Sequence, residues 1–439
     1  MSNIFDRVDA SLAATLTFSR RLAFQRPRTL IAGFVGLHIV FLFALLHTIL
    51  TGRVLGDLPL YRTWAELGFN NGIWQGIDTL WVYPIGAMLP IAFAGLAGPL
   101  LYQLLWFLMT TALNAIAVGA LTDWGRRRSG FKSAWYWLFA SFVLSPVGLL
   151  RLEGITAPLV LVGLVLLARR PVVAAVVLAL ATWIKVWPAA VVVAVVAVSP
   201  RRRTMILTGA VVSGGVAITV WLLGGLQFLT GFVTEQSDRA LQLEAPITTP
   251  WVWLAALGHH DTFIYENFSI ATREVSGPGT HLVASLMTPV MFGAIAAILL
   301  LLLGAQHRQA DAAQLLLLGS LALVGAFVVF NKVGSPQYML WLVPVVVVGV
   351  GHSWAAWRVP AVLMLAISGL TTLIFPIFYM PLIDGNLFSL LLLTARNGLV
   401  VVLFGWSVVA VARLAIAAKR IPPARMLSFP ANESSELAS

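Results

Sequence analysis

The residues of this chain that can do chemistry are few, and they stand at the ends of long apolar runs. Asp57 follows the first run, in the stretch Gly-Asp-Leu-Pro-Leu-Tyr at positions 56–61. A carboxylate in such a place can act as a general base that takes a proton from an attacking hydroxyl. The same pattern is typical of a helix N-cap or of a solvated loop carboxylate, so the local sequence leaves both interpretations open. Glu66 and Asp78, in the same loop, are predicted to be surface charges.

Three further charged residues stand where a bound anion and a sugar would need them. Arg151 and Glu153 follow another apolar run, and we expect Arg151 to bind a phosphate through its planar fork and Glu153 to hold a sugar hydroxyl. The alternative is an exposed ion pair of little energetic value. Lys185 lies among Val, Ala and Trp, where an unpaired ammonium is costly, which predicts an anionic partner such as a lipid phosphate. The alternative is that its long stem carries the charge to the surface.

A turn between two apolar runs gathers another polar set. Gly334 and Pro336 predict a tight turn that brings Lys332, Gln337 and Tyr338 into one small region, although a simple polar turn would show the same pattern.

Two motifs are given more ordinary interpretations. Trp81 is predicted to be an interfacial anchor, while Tyr83 and the following proline are expected to shape the wall of a site. The pair His259-His260 with Asp261 resembles metal ligands, but adjacent histidines in a loop are usually only polar, and no metal site is predicted.

The composition defines the class of protein. Hydrophobic residues make up 59% of the 439 residues and charged residues 10%, whereas a soluble domain carries about 25% charged residues. Recurrent apolar runs predict an all-α polytopic membrane protein. The net charge of +11 does not indicate nucleic-acid binding, because the basic residues lie in short loops as the positive-inside rule requires. Cysteine is absent, which excludes disulfides and thiolate metal sites and leaves the redox compartment undetermined. No cleavable signal peptide is predicted in the first 28 residues.

The basic loops predict the topology, with both termini cytoplasmic and the polar chemistry outside. Residues 1–425 form one integral-membrane domain, and residues 426–439 a polar, disordered cytoplasmic tail. Arginines flank 171–200 on both sides, so this segment is predicted to be a short hairpin with residues 183–188 at its tip. About 10 full spans are expected, at residues 29–50, 99–121, 133–150, 155–168, 204–224, 283–304, 312–330, 338–351, 359–377 and 388–417.

Ionisable residues are segregated between the two faces. Most of the 28 Lys and Arg fall on the predicted cytoplasmic side, and most of the 17 Asp and Glu fall outside. Charges in the middle of spans are nearly absent. A transporter commonly places such groups near the bilayer midplane, whereas an enzyme acting on a lipid head group needs them at the interface. The distribution therefore favours an enzyme over a transporter or flippase.

Several motifs, in order along most of the chain, resemble those of family 87 glycosyltransferases, which have the C-type multi-span fold. In one departure, Tyr83-Pro84 is followed by Ile85, where family members often have a second proline. The motifs are Gly56-Asp57 with Tyr61, Trp81 to Pro84, Lys185 with Pro188, Arg239 with Gln242 and Glu244, and Ser335 to Tyr338 with Trp341 and Pro344.

The resemblance implies an inverting α-mannosyltransferase that uses a polyprenyl-phosphate-mannose donor and acts on a membrane glycolipid. The implied acceptors are actinobacterial phosphatidylinositol mannosides or lipomannan, and the bond is expected to be α-1,2. Asp57 would be the base, Lys185, Arg151 and Lys332 would stabilise the departing phosphate, and neither metal nor cofactor is implied. The sugar and acceptor contacts would come from Tyr61, Tyr83, Glu153, Arg239, Gln242, Glu244, Gln337 and Tyr338. Transfer of arabinofuranose or glucose, or lipid transport, stays open.

Overall fold

The computed structural model describes residues 24–237, 239–267 and 272–418. The predicted cytoplasmic N-terminal residues 1–23 and the predicted tail 426–439 lie outside the described residues.

The described chain is built almost wholly from helices. The first, α1, begins at Pro27, whose missing amide proton is harmless at a helix start. In chain order the helices are α1 Pro27–Leu50, α2 Leu58–Asn71, α3 Met88–Gly95, α4 Gly98–Thr122, α5 Phe131–Val143, α6 Ser145–Gly148, α7 Glu153–Leu166, α8 Pro171–Ile184, α9 Pro188–Val198, α10 Arg202–Leu222, α11 Gly231–Ser237, α12 Thr249–Ala256, α13 Thr280–His307, α14 Ala312–Val329, α15 Met339–His352, α16 Trp354–Thr372, α17 Tyr379–Ile383 and α18 Leu387–Ala418.

Seven of the described helices are long and apolar enough to cross a membrane: α1, α4, α10, α13, α14, α16 with the π-helical turn that extends it, and α18. The predicted spans at 155–168 and 338–351 exist as α7 and α15, but each has only 14 residues. At about 1.5 Å per residue these helices are about 21 Å long, shorter than a ~30 Å hydrocarbon core. The polytopic helical class is therefore confirmed, whereas the expected number of full spans is not.

The short helices form the centre of the bundle and the long ones surround it. In the most apolar stretch of α14, 72% of the residues are buried, whereas in that of α10 only 11% are buried. Helices α7, α9, α14 and α15 contribute most of their residues to one continuous apolar core. A helix that is apolar all round must be buried in protein or lipid. The central helices bury their apolar surfaces against each other, and the outer helices bury theirs in lipid.

Residues 171–200 form a helical hairpin, as the flanking arginines predict. Helix α8 ends at Ile184 and α9 begins at Pro188, so Lys185 to Trp187 make the tip. Proline at the start of each helix fixes where it begins. The tip lies against the start of α7, because the Trp187 indole donates to Thr156 Oγ1 at 3.1 Å.

One element departs from the all-α expectation. Strands β1 Phe263–Asn267 and β2 Thr272–Ser276 form an antiparallel hairpin. Residues 241–243 lie beside it, where the Leu243 amide donates to the Arg273 carbonyl at 2.9 Å and the Val275 amide donates to the Leu241 carbonyl at 2.9 Å. On their other side, the Gln242 amide donates to the Lys332 carbonyl at 2.9 Å. The loop predicted between α10 and α13 is therefore folded onto the turn before α15.

Candidate active site

Asp57 occupies the N-cap position of α2, but its side chain makes no capping hydrogen bond. Gly56, at φ +66°, brings the chain against Leu150, where a Cβ would stand 3.2 Å from the carbonyl oxygen. The Tyr61 hydroxyl donates to Asp57 Oδ2 at 3.3 Å. Burial raises the pKa of Tyr61 well above its usual value, so this hydroxyl keeps its proton and remains a donor. Tyr61 thus holds one carboxylate oxygen of Asp57, and 23% of the Asp57 side chain is exposed.

Arg151 connects Asp57 to the turn before α15. Its Nη2 lies 3.4 Å from Asp57 Oδ1, and its Nη1 donates to Gln337 Oε1. The guanidinium also lies over the Phe375 ring, 5.3 Å from the centroid. Arg151 is buried, and its carboxylate partner is Asp57. The alternative of an exposed Arg151–Glu153 ion pair is therefore wrong.

Glu153 instead pairs with the lysine of the helical hairpin. Lys185 Nζ lies 2.7 Å from Glu153 Oε1, and Glu153 is fully buried. The Trp341 indole donates to the same oxygen at 3.4 Å, and the ammonium lies over the Tyr83 ring, 4.7 Å from the centroid. Lys185 therefore does not reach the surface, and its protein partner is a carboxylate. Binding of a lipid phosphate by Lys185 and of a sugar by Glu153 stays a prediction.

The turn at 332–338 brings its polar side chains to different places. Gln337 and Tyr338 belong to a 3-10 turn, Pro336–Tyr338, directly before α15. Gln337 reaches Arg151, whereas the Tyr338 ring stacks on Trp341 with centroids 3.9 Å apart. Lys332 is buried and packs beside Gln242 through its backbone carbonyl.

Gln242 fastens the loop to this turn. Its side-chain oxygen accepts from the Gly334 amide at 3.0 Å and from Ser335 Oγ at 3.2 Å. A Cβ on Gly334 would collide with the backbone of Ala245, so only glycine allows the two segments to approach so closely. Gln242 thus serves the architecture of the site in this structure, and a contact of Gln242 with sugar or acceptor stays a prediction.

Glu244 lies next to a buried arginine that the motifs did not identify. Arg396 Nη2 lies 3.6 Å from Glu244 Oε2 and donates to the Glu244 carbonyl at 3.0 Å. Burial raises the pKa of Glu244 to about 7, against the opposing influence of Arg396 and Arg151. Arg396 stands within the apolar sequence of α18. A charge inside a predicted span is itself a signal of a functional or paired residue, and it would have identified Arg396.

Several buried polar atoms of the candidate active site have no hydrogen-bond partner within the described structure. Polar atoms removed from water normally have a partner, so such a group of atoms indicates a place where water or a ligand binds. Arg239, whose charge acts on Tyr338, belongs to this group. The atoms are Arg151 Nε, Glu153 Oε2, Arg239 Nε, Glu244 Oε2, and Nε and Nη1 of Arg396.

The charges of the site favour an anion. The acidic side chains whose contacts form the site are Asp57, Glu153 and Glu244. The cations whose contacts are described outnumber them by one: Arg151, Lys185, Arg239 and Arg396. Because most of these groups are buried, their excess positive charge is weakly screened. His259, His260 and Asp261 are exposed after α12, and no group of three metal-ligating side chains occurs within the described ranges.

Comparison with known proteins identifies the family. The model of glycosyltransferase family 87 matches residues 81–330, which is more than half of the chain. This range includes Tyr83, Arg151, Lys185 and Glu244, while Asp57 precedes it and Gln337 follows it. No curated protein matches the sequence.

Two solved structures are similar to the chain. The crystal structure of ArnT from Cupriavidus metallidurans bound to undecaprenyl phosphate has a TM-score of 0.45 and 13% identity, covering 88% of this chain and 78% of that one. The apo structure of the same protein has a TM-score of 0.43 and 14% identity, covering 88% and 77%.

The family match confirms the resemblance that the motifs indicated, and with it the helical multi-span fold class of C-type glycosyltransferases. The chain belongs to glycosyltransferase family 87.

Proposed function

We propose that the protein transfers mannose from polyprenyl-phosphate-mannose to a membrane glycolipid, with inversion to an α-mannoside, at the extracytoplasmic face. The observation that carries this proposal is the setting of Asp57. Its carboxylate is partly exposed, is held by Tyr61 on one oxygen, and lies 3.4 Å from Arg151 on the other. A fixed carboxylate beside buried cations is the arrangement that an inverting transfer from a sugar phosphate requires.

In the proposed reaction an acceptor hydroxyl attacks the anomeric carbon as the bond from that carbon to the phosphate oxygen breaks. Asp57 takes the hydroxyl proton, and the bonding electron pair leaves with the polyprenyl phosphate. The leaving group gains one negative charge in this step. Arg151, Lys185 and Lys332 would stabilise that charge, and fixed positive groups in a water-poor site do so most effectively.

The depth of the site supports a donor carried by a lipid. Lys185 follows α8, whose 14 residues make it about 21 Å long. The other end of α8 begins after Arg169 and Arg170, which the positive-inside rule places at the cytoplasmic membrane surface. If α8 stands upright from that surface, Lys185 would lie about 10 Å short of the far side of a ~30 Å hydrocarbon core. A phosphate on a membrane-embedded prenyl chain can reach this depth.

The proposed acceptors are phosphatidylinositol mannosides or lipomannan, with an α-1,2 bond formed. These finer assignments follow from the family resemblance, and the contacts of Tyr83, Glu153, Arg239 and Glu244 with the sugar or the acceptor are part of the proposal. Pocket shape decides between mannose and other sugars, so the donor must be tested directly.

The test is a transfer assay with purified protein, labelled polyprenyl-phosphate-mannose and a panel of phosphatidylinositol mannosides. We expect a mannosylated lipid from the wild type and a rate about 10²- to 10⁴-fold lower from Asp57→Asn, which cannot accept a proton. The matched control is Glu66→Gln, which removes a partly exposed carboxylate from α2 and should retain activity. An Asp57→Asn enzyme as active as Glu66→Gln would refute the role of Asp57.

Donor competition decides the sugar. Polyprenyl-phosphate-arabinofuranose and polyprenyl-phosphate-glucose are added unlabelled in the same assay. Product formed only from one of these would assign the enzyme to that sugar and overturn the mannose proposal. Movement of the labelled donor across liposomes without any product would assign it to transport.

A further inference from the structure

A cavity lies at the end of the bundle opposite Asp57. Its volume is about 600 Å³. Helix α7 begins at Glu153 in the candidate active site and ends beside this cavity, where Leu164 and Leu167 line it. Helix α15 likewise runs from the turn that carries Gln337 to Gly351 and His352 on the cavity wall. Helices of 14 residues separate the two sites by about 21 Å.

The cavity lies where several helices of the bundle end. The C-terminal ends of α4, α7 and α15 reach it at Leu121, Leu164 and His352. It therefore forms a recess in this end of the bundle. Leucine and valine side chains such as Val165, Leu316 and Val348 line much of it.

The mouth of this recess is basic. Arg127 and Arg201 line it, together with His352, and none of its described lining residues is acidic. Nε and Nη2 of Arg127 donate to the Leu121 carbonyl at 3.3 and 2.7 Å, which fixes the guanidinium against the wall. Arginines also occupy 126, 128, 169, 170, 202 and 203 around it.

A buried hydroxyl on the same wall has no partner. Ser133 is 1% exposed and lines the cavity, and its Oγ has no hydrogen-bond partner among the described residues. The backbone makes room for it, because a Cβ on Gly351 would collide with Oγ of Ser133. An orphaned polar atom on the wall of a roomy cavity indicates that water or a ligand completes its hydrogen bonding.

We propose that this cavity binds a phosphate ester on an apolar stem, supplied by an anionic membrane phospholipid, at a site separate from that of the sugar donor. Arg127 and Arg201 would hold the phosphate, since guanidinium forks match its oxygens. The Ser133 hydroxyl would donate to the head group, and the leucine and valine wall would cover the start of the acyl chains. The recess adjoins the arginine-rich loops at this end of the bundle, and such basic segments attract anionic lipid head groups.

The test is equilibrium binding of radiolabelled phosphatidylglycerol to the delipidated full-length protein in neutral detergent micelles. The double variant Arg127→Gln/Arg201→Gln should bind at least about tenfold more weakly, because charge-assisted hydrogen bonds are lost. The matched control is Arg128→Gln/Arg203→Gln, which removes the same charge from neighbouring positions but from residues outside the lining. This control should change affinity less than about twofold.

A cavity-filling variant and two other ligands test the proposal further. Ala168→Trp changes no charge but places a large ring on the cavity wall, and it should abolish binding even if the double variant fails to fold. Phosphatidylcholine should bind far more weakly than phosphatidylglycerol. Glycerol 3-phosphate that binds with the same dependence on Arg127 and Arg201 would assign the site to soluble phosphate esters.

Equal losses in the lining pair and the control pair would overturn the proposal. They would mean that the lipid only adsorbs to the basic surface, as polybasic segments attract anionic lipids without a built site. Undiminished binding to Ala168→Trp would have the same consequence, because it would show that the lipid does not enter the cavity.

Discussion

Arg151 Nη2 lies 3.4 Å from Oδ1 of Asp57. The same guanidinium donates through Nη1 to Gln337, which follows Asp57 by 280 positions in the sequence. Arg151 thus couples the proposed base in the loop before α2 to the turn before α15. We propose that it positions Asp57, in addition to its proposed contact with the donor phosphate.

Replacing Arg151 should therefore affect the reaction through geometry. We expect Arg151→Gln to lower kcat about 10²-fold, because a misplaced catalytic group costs about that much. Arg151→Lys should recover little of the lost kcat, since one ammonium cannot hold Asp57 and Gln337 at once as the planar guanidinium does. Steady-state kinetics with purified enzyme measure both. A lysine variant with nearly wild-type kcat would show that only the charge matters.

The Lys185–Glu153 pair allows stability to be separated from function. Breaking a buried ion pair by removing one partner leaves an uncompensated charge and costs about 3–5 kcal/mol. Lys185→Met and Glu153→Gln should therefore each lower the thermal midpoint in detergent. The double variant should recover most of the loss, because no charge is left unpaired.

Activity of the double variant then tests the proposed donor contacts of both residues. If Lys185 binds the donor phosphate or Glu153 the sugar, the double variant should remain folded yet have a raised KM for polyprenyl-phosphate-mannose. A stable double variant with unchanged KM and kcat would restrict the pair to a structural role.

The sequence predicts the helical class and the hairpin well, because apolar runs and flanking arginines report directly on lipid and on charge. Asp57 and Lys185 are identifiable for the same reason, as isolated charges at the ends of apolar runs. The pairing is not predictable: Arg151 and Glu153 are neighbours in sequence, yet Arg151 turns to Asp57 and Glu153 to Lys185. Partners so far apart in the chain are chosen by tertiary packing.

The strands around Tyr265 and Glu274 escape sequence reasoning for another reason. A two-stranded hairpin is marginal alone and needs a further element to pack on. Here residues 241–243 are that element, since they form hydrogen bonds with the hairpin. The local composition does not predict these bonds.

Glu244 should make stability depend on pH. Its pKa is about 7 in the folded protein, against a usual value of 4.5, because burial disfavours the charged form. The folded protein therefore binds an extra proton between these values, so the free energy of unfolding should fall as the pH rises from about 4.5 to 7. Glu244→Gln mimics the protonated form and should lose this dependence.

Thermal midpoints in detergent at pH 5 and pH 8 measure the effect. The wild type should lose more stability than Glu244→Gln between the two conditions. A matched control is Glu274→Gln, in β2, which replaces another buried carboxylate of the same loop. Parallel pH profiles for the wild type and Glu244→Gln would contradict the assignment.

Gly334 tests whether the contact between the loop and the turn organises the site. A Cβ there would meet the backbone of Ala245, which cannot rotate away as a flexible side chain can. Gly334→Ala should push residues 242–245 from the turn, weaken the hydrogen bonds of Gln242 to Gly334 and Ser335, and cost about 1–3 kcal/mol as overpacking does. Because Gln337 follows in the same turn, kcat should also fall.

Gly209→Ala is the matched control for this substitution. Gly209 lies in α10, where a Cβ would meet nothing within 4 Å, so alanine should leave activity unchanged and stability within about 1 kcal/mol of the wild type. Thermal midpoints and kcat are measured for both variants. If Gly334→Ala behaves like Gly209→Ala, the loop at 242–245 yields without consequence, and the organisation of the site does not depend on its approach to the turn.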